Sequence, residues 1–287
     1  MKLFKTLQKG REHLGAEALG RISCFVDSQR TEKDSFMDKS GKPDIYYTLF
    51  GWMLSYILGI RLDHHKMEEY LSGQNIQAMD LIHYAAFMRC RMIQKLMTEG
   101  KAGFLLKTLF SSPTKIKEIQ DFTDLPHNDP QSPYTRFICL SLQEDTGQKI
   151  RDKAEILESL KSYHVPGGGY SNMKNGTSPG INATVAALAV TGQLLGYKHN
   201  EDIDYLRESQ DESGGFSAAK EAPVPDILST ATSLFMLKCY GVQPKYAGAD
   251  FIEAHWLDSG GFSATLVEER SDVEYTFYGL LALGSII

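Results

Sequence analysis

Asp272 and Glu274 stand two residues apart at the head of an apolar segment. Two carboxyl groups that close need not both ionise in apolar surroundings, and the one that keeps its proton is an acid. Asp44 and Asp226 head similar segments. The plainer reading is that all three aspartates are helix N-caps and that Glu274 is a first-turn charge favoured by the helix dipole. The sequence leaves both readings open. Aromatic residues gather at the same positions: Tyr46, Tyr47, Tyr134, Tyr275 and Tyr278. Their ring faces suit an apolar chain or a cation. His83 follows Asp80 by three residues and reads as a cavity-facing group or a satisfied structural histidine. His64 and His65 are no metal pair, because adjacent residues point apart on a helix. Cys24, Cys90, Cys139 and Cys239 show no metal or disulfide spacing and read as small buried hydrophobes of a reducing compartment.

A repeat must position these groups. The phrases Gly168-Gly169-Tyr170-Ser171, Gly214-Gly215-Phe216-Ser217 and Gly260-Gly261-Phe262-Ser263 recur at a constant step of 46 residues, and Thr184, Thr230 and Thr276 keep the same step. One supersecondary unit is therefore repeated. Within 201–241, a short amphipathic helix from Asp202 to Gln210 meets a Gly-Gly break. Pro223 and Pro225 hold the next stretch out of helix, and Asp226 caps a second helix that stops at Gly241. The second helix is apolar on more than one face, so it is buried on several sides, while the first lies outside. Worn copies occupy the N-terminal half. Ser23 to Gln29 ends an outer helix, Asp44 opens an inner helix ending at Gly59, Met79-Asp80 opens one to about Met97, and Ser132 opens another. With 180–196, 226–241 and 272–287, the expectation is a single all-α domain over 1–287. It is an α/α toroid of about six helical hairpins, an α6/α6 barrel, with clear repeats over 150–287 and degenerate ones over 1–149. Closure by six hairpins removes the exposed end repeat that an open solenoid must cap.

The chain has 287 residues, is 42% hydrophobic and carries a net charge of −6 without a basic run. Nucleic acid is not an expected partner. No window approaches the roughly 20 apolar residues of a membrane span, and the start lacks a signal-peptide core, so a cytoplasmic protein is expected. The Gly-Gly-Phe phrases are not phosphate loops, because no strand precedes them.

Gly-Gly-Phe-Ser, about ten residues, then Asp-x-x-x-Thr and a small apolar helix resembles the prenyltransferase and squalene-oxidase repeat. That repeat builds the α/α toroid of protein prenyltransferase β subunits and of terpene and triterpene cyclases. Asp272-Val-Glu-Tyr-Thr276-Phe-Tyr278-Gly resembles the prenyltransferase stretch Asp-x-Tyr-His-Thr-x-Tyr at Asp272, Thr276 and Tyr278. The resemblance places a zinc-binding Asp-x-Cys pair at Asp226-Ile227-Leu228 and a zinc-binding His at Tyr275, so two of three ligands are replaced. One carboxylate does not make such a site, and no metal or other cofactor is expected. Of the family's basic cluster for a prenyl diphosphate, only Lys220 is found. Class II cyclases protonate an alkene with an Asp-x-Asp-Asp motif; Asp272-Val273-Glu274-Tyr275 keeps carboxyls at its first and third positions. The resemblance thus implies Asp272 and Glu274 as the catalytic pair of a prenyltransferase-like or cyclase-like enzyme. An isoprenoid or other lipid-like ligand would sit against Tyr46, Tyr47, Tyr134, Asn182, Lys220, Asp226, Leu228, Tyr275 and Tyr278. The rival expectation is a catalytically silent toroid that binds a lipid-like ligand or a protein partner such as a second subunit.

Overall fold

The Gly-Gly-aromatic turns act as latches. The computed structural model describes residues 2–110, 114–219 and 222–287, with residues 101–110 as backbone only. After each turn the aromatic residue pairs antiparallel with the residue that caps the following helix: Tyr170 with Gly180, Phe216 with Asp226, Phe262 with Asp272 and, in the N-terminal half, Phe36 with Asp44. The aromatic N–H then donates to a threonine hydroxyl one turn into that helix. Tyr170 donates to Thr184 at 2.9 Å, Phe216 to Thr230 at 2.9 Å, Phe262 to Thr276 at 3.1 Å and Phe36 to Thr48 at 2.9 Å. These threonines are fully buried, which accounts for their fixed step in the sequence. Thr230→Val keeps the shape but orphans the Phe216 N–H, so it should cost about 1–3 kcal/mol. Denaturant unfolding checks this, with Thr230→Ser, which keeps the hydroxyl, losing less.

Twelve α-helices are formed by the described residues: α1 (Lys2–His13), α2 (Ala16–Ser28), α3 (Ile45–Leu58), α4 (His64–Ser72), α5 (Leu81–Phe110), α6 (Pro133–Asp145), α7 (Lys153–Leu160), α8 (Ile181–Leu195), α9 (Glu201–Glu208), α10 (Ile227–Tyr240), α11 (Ala249–Ala254) and α12 (Val273–Ser285). Among the described residues the strands are four of two residues each, so the fold is all-α. Among the described residues no helix is long and apolar enough to cross a membrane. Helix α3 packs on α5, α5 on α6, α6 on α8, α8 on α10, α10 on α12, and α12 on α3. Helices α2, α4, α7, α9 and α11 pack against these six. The caps agree with the sequence: Asp44 accepts from the Tyr46 and Tyr47 N–H groups, Asp226 from Ser229 and Asp272 from Tyr275. Gly59 and Gly241 close α3 and α10 in the left-handed region.

Three details differ from the sequence reading. The helix after Asp80 starts at Leu81 and continues past Met97 to Phe110, interrupted at Gly100 (φ 70°, ψ 168°). Cys24 is exposed, because α2 buries Ile22, Phe25 and Val26 and turns Cys24 away. The third difference is α1, whose Leu7 and Thr6 are buried. It lies along α12 so closely that a Cβ on Gly284 would meet the Thr6 carbonyl oxygen at 1.9 Å, and one on Gly10 would meet that of Leu280 at 2.3 Å. Phe4 also meets Tyr56 of α3 edge to face, 5.8 Å between centroids. Helix α1 thus covers the C-terminal ends of α3 and α12.

Candidate functional site

The opposite end holds the N-terminal turns of α3, α6, α8, α10 and α12. Asp272 sets the start of α12: its Oδ1 accepts from Tyr275 at 2.8 Å, and Thr276 Oγ1 donates to its carbonyl at 2.6 Å. Glu274 is thereby fixed in the first turn, buried, and aimed at α3. Asp44 does the same for α3 and presents Tyr46. The Tyr46 hydroxyl donates to Glu274 Oε1 at 2.5 Å. Around this pair lie rings: Tyr46 meets Phe50 edge to face at 5.0 Å, and Phe50 meets Phe277 at 5.1 Å and Tyr278 at 5.7 Å.

The electrostatics follow from that burial. Burial pushes the Glu274 carboxyl up to about 7; the Tyr46 hydrogen bond opposes this and the Asp272 charge adds to it. Burial and then the Glu274 charge raise the hydroxyls of Tyr134, on α6, and Tyr278, on α12. Tyr46 and Tyr47 are raised too, by burial first. Asp272 is raised by burial, and its Oδ2 has no hydrogen-bond partner. Among the described residues the cation beside it is Lys39, whose Nζ lies 3.8 Å from Asp272 Oδ2, 2.9 Å from Glu268 Oε1 and 4.7 Å from the Tyr275 ring centroid. Lys39 sits between the two strands of the first repeat, and its sequence neighbourhood gives no signal of this role.

The other sequence candidates are placed as follows. Tyr46, Tyr47, Tyr134, Asn182, Leu228, Tyr275 and Tyr278 are half-buried, while neighbours such as Ile45, Ile181, Ile227 and Phe277 are buried. On α10 the half-buried positions continue as Thr232, Phe235 and Cys239, a stripe running the length of the helix. Asn182 accepts from the Ser229 hydroxyl at 3.4 Å and links α8 to α10. Asp226 serves as the α10 cap, its carboxyl raised by burial. Lys220 lies outside the described residues. Glu274, Tyr46, Tyr134 and Tyr278 are thus brought into one electrostatic neighbourhood, and Asp226 is not part of it. His83 is a structural bridge: its Nδ1 lies 2.7 Å from Asp80 and its Nε2 3.6 Å from Asp44, and the Asp44 carboxylate raises its pKa to about 9 against the effect of burial. Among the described residues no three His, Cys, Asp or Glu side chains gather as a metal site.

No protein-family model matches this chain, and no curated protein matches it. Among solved structures it is similar to the crystal structure of a protein from Actinoplanes, at 11% identity and a TM-score of 0.54, over 94% of this chain and 98% of that one. At that identity the likeness concerns the fold alone.

Proposed function

We propose that the six inner helices form an α6/α6 toroid of the prenyltransferase and squalene-oxidase repeat kind, whose lumen binds an isoprenoid-like apolar chain. Glu274 is its proton donor. The observation that carries this reading is the Tyr46–Glu274 hydrogen bond inside an aromatic cluster, with a carboxyl that titrates near neutrality. Because Tyr46 donates to Oε1, the carboxylic proton is left to Oε2. Transfer of that proton to an alkene carbon makes a new C–H bond from the π electrons and leaves a carbocation and a carboxylate. The Tyr46 O–H then stabilises the carboxylate, and the faces of Phe50, Tyr134 and Tyr278 are suited to the cation. The Glu274 carboxylate then takes a proton from a carbon next to the cation, whose C–H electrons form the new C=C bond, and the acid is restored. The cycle needs neither oxidant nor metal ligands. Replacement of the zinc-ligand positions by Leu228 and Tyr275 favours this chemistry over thiolate alkylation.

Ligand binding is tested by melting temperature with geranylgeraniol and with geranylgeranyl diphosphate. At a hundredfold excess over Kd, binding should stabilise the protein by about 2.7 kcal/mol. Leu228→Trp, which fills the lumen from a half-buried position, should cancel the shift with the alcohol. Absence of any shift with either ligand removes the isoprenoid reading. Binding without turnover of polyprenyl substrates selects the silent lipid-binding toroid.

A further inference from the structure

The end of the inner helices opposite Glu274 carries a charge arrangement that the proton chemistry does not use. Helix α1 is amphipathic, and its exposed residues Lys2, Lys5 and Lys9 recur every three to four positions along one face. That face turns toward α10. With Thr6, Phe235, Lys238 and Cys239, the three lysines line a pocket of about 180 Å³. Four ammonium groups therefore surround a floor made of one ring and one thiol.

Three of these charges are not neutralised locally. Among the described residues none of Lys2, Lys5 and Lys9 has a carboxylate at ion-pair distance. The Lys2 ammonium lies over the Tyr197 ring, 3.9 Å from its centroid. Lys238 Nζ donates to the carbonyls of Gly284, at 3.0 Å, and Ser285, and also contacts the main-chain carboxylate of Ile287, so the unpaired ammonium groups of the pocket are those of Lys2, Lys5 and Lys9. Burial and then the like charge of Lys9 lower the Lys238 pKa. The first turn of α1 has no acidic residue, so Lys2 and Lys5 also oppose the positive end of their own helix dipole. A multiply charged anion held among these groups would relieve each of these costs, and compact ammonium groups are good phosphate partners.

We propose that the pocket between α1 and α10, lined by Lys2, Lys5, Lys9 and Lys238, binds a phosphate-bearing anion. The chemistry is shared by a free diphosphate and by a phospholipid headgroup. Leu195, Tyr197 and Ile287, which flank this end, are 59%, 37% and 46% exposed and suit the apolar margin of a headgroup site. The site does not depend on the reading of the lumen.

The test has two arms. One titrates inorganic pyrophosphate calorimetrically; the other sediments the protein with vesicles of equimolar phosphatidylcholine and phosphatidylglycerol, against phosphatidylcholine alone. Lys5→Glu and Lys9→Glu are exposed changes and should fold, which circular dichroism checks. Each should weaken binding by at least about tenfold, while Lys149→Glu, an exposed lysine outside the pocket lining, and Leu228→Trp should leave it unchanged. Pyrophosphate binding lost in both variants assigns a free anion. Retention on the anionic vesicles alone, lost in both variants, assigns a headgroup. No binding in either arm, binding that survives both variants, or an equal loss in Lys149→Glu overturns the proposal.

Discussion

Glu274→Gln should make the protein more stable at pH 8, by about 3 kcal/mol, while removing the acid proposed for the site. The native carboxyl holds its proton up to about pH 7, whereas the unfolded one releases it near the ordinary value of 4.5. Between those values the native state binds more protons than the unfolded state, so stability falls as pH rises, and the loss is complete above pH 7. Gln cannot ionise, keeps an oxygen to accept from Tyr46, and has nearly the same shape. The stability difference between wild type and variant should therefore be smallest below pH 4.5 and grow through neutrality. His83, whose folded pKa is raised to about 9, also makes stability fall as pH rises, over a higher window. That contribution is common to both proteins and cancels in the difference. Urea unfolding at a series of pH values measures it; a difference that does not change with pH would mean that Glu274 is not held protonated. If polyprenyl turnover is found, the same substitution should lower it by about 10²–10⁴-fold.

The second large effect is expected at Gly260. Its φ is +92°, and a Cβ placed there would lie 2.4 Å from the carbonyl oxygen of Arg21 on α2. Arg21 in turn reaches the same turn from the other side, donating from Nη2 to the Asp258 carbonyl at 2.8 Å. Gly260→Ala thus combines backbone strain with a clash between main chains, about 3 kcal/mol together. Gly59→Ala is the matched control, since Gly59 has φ +77° with nothing within 4 Å of its Cβ position. It should cost only the conformational part, about 1 kcal/mol. Equal losses in denaturant midpoint would show that the final Gly-Gly turn is not braced by α2.

What the sequence disclosed was whatever repeats. Asp226 and Asp272, the Gly-Gly turns and the threonines perform one local task each time, within about 15 residues of chain, so their spacing carries the signal. The N-terminal copy was harder to read because Phe36 and Thr48 are 12 apart, where the later pairs are 14 apart. The Glu274 environment was not legible. A first-turn glutamate is ordinarily solvated, and what buries this one is Tyr46, 228 residues away. Helix α1 was missed for a related reason. Its basic composition suggests a solvated terminus, and its burial depends on two glycines, Gly10 and Gly284, that let two backbones approach. Neither glycine predicts its partner alone.

The pairing of α1 and α3 with α12 also constrains how the chain reaches its native state. The first helix finds its main partner in the last, so local contacts cannot complete the fold, and loop closure over most of the chain must precede the final packing step. On a ribosome, α1 would have only α3 to pack against until α12 emerged, with Leu7 without its main cover meanwhile. Refolding should accordingly show a late phase in which the Phe4–Tyr56 contact forms together with docking of α12, after the middle hairpins have acquired protection from hydrogen exchange.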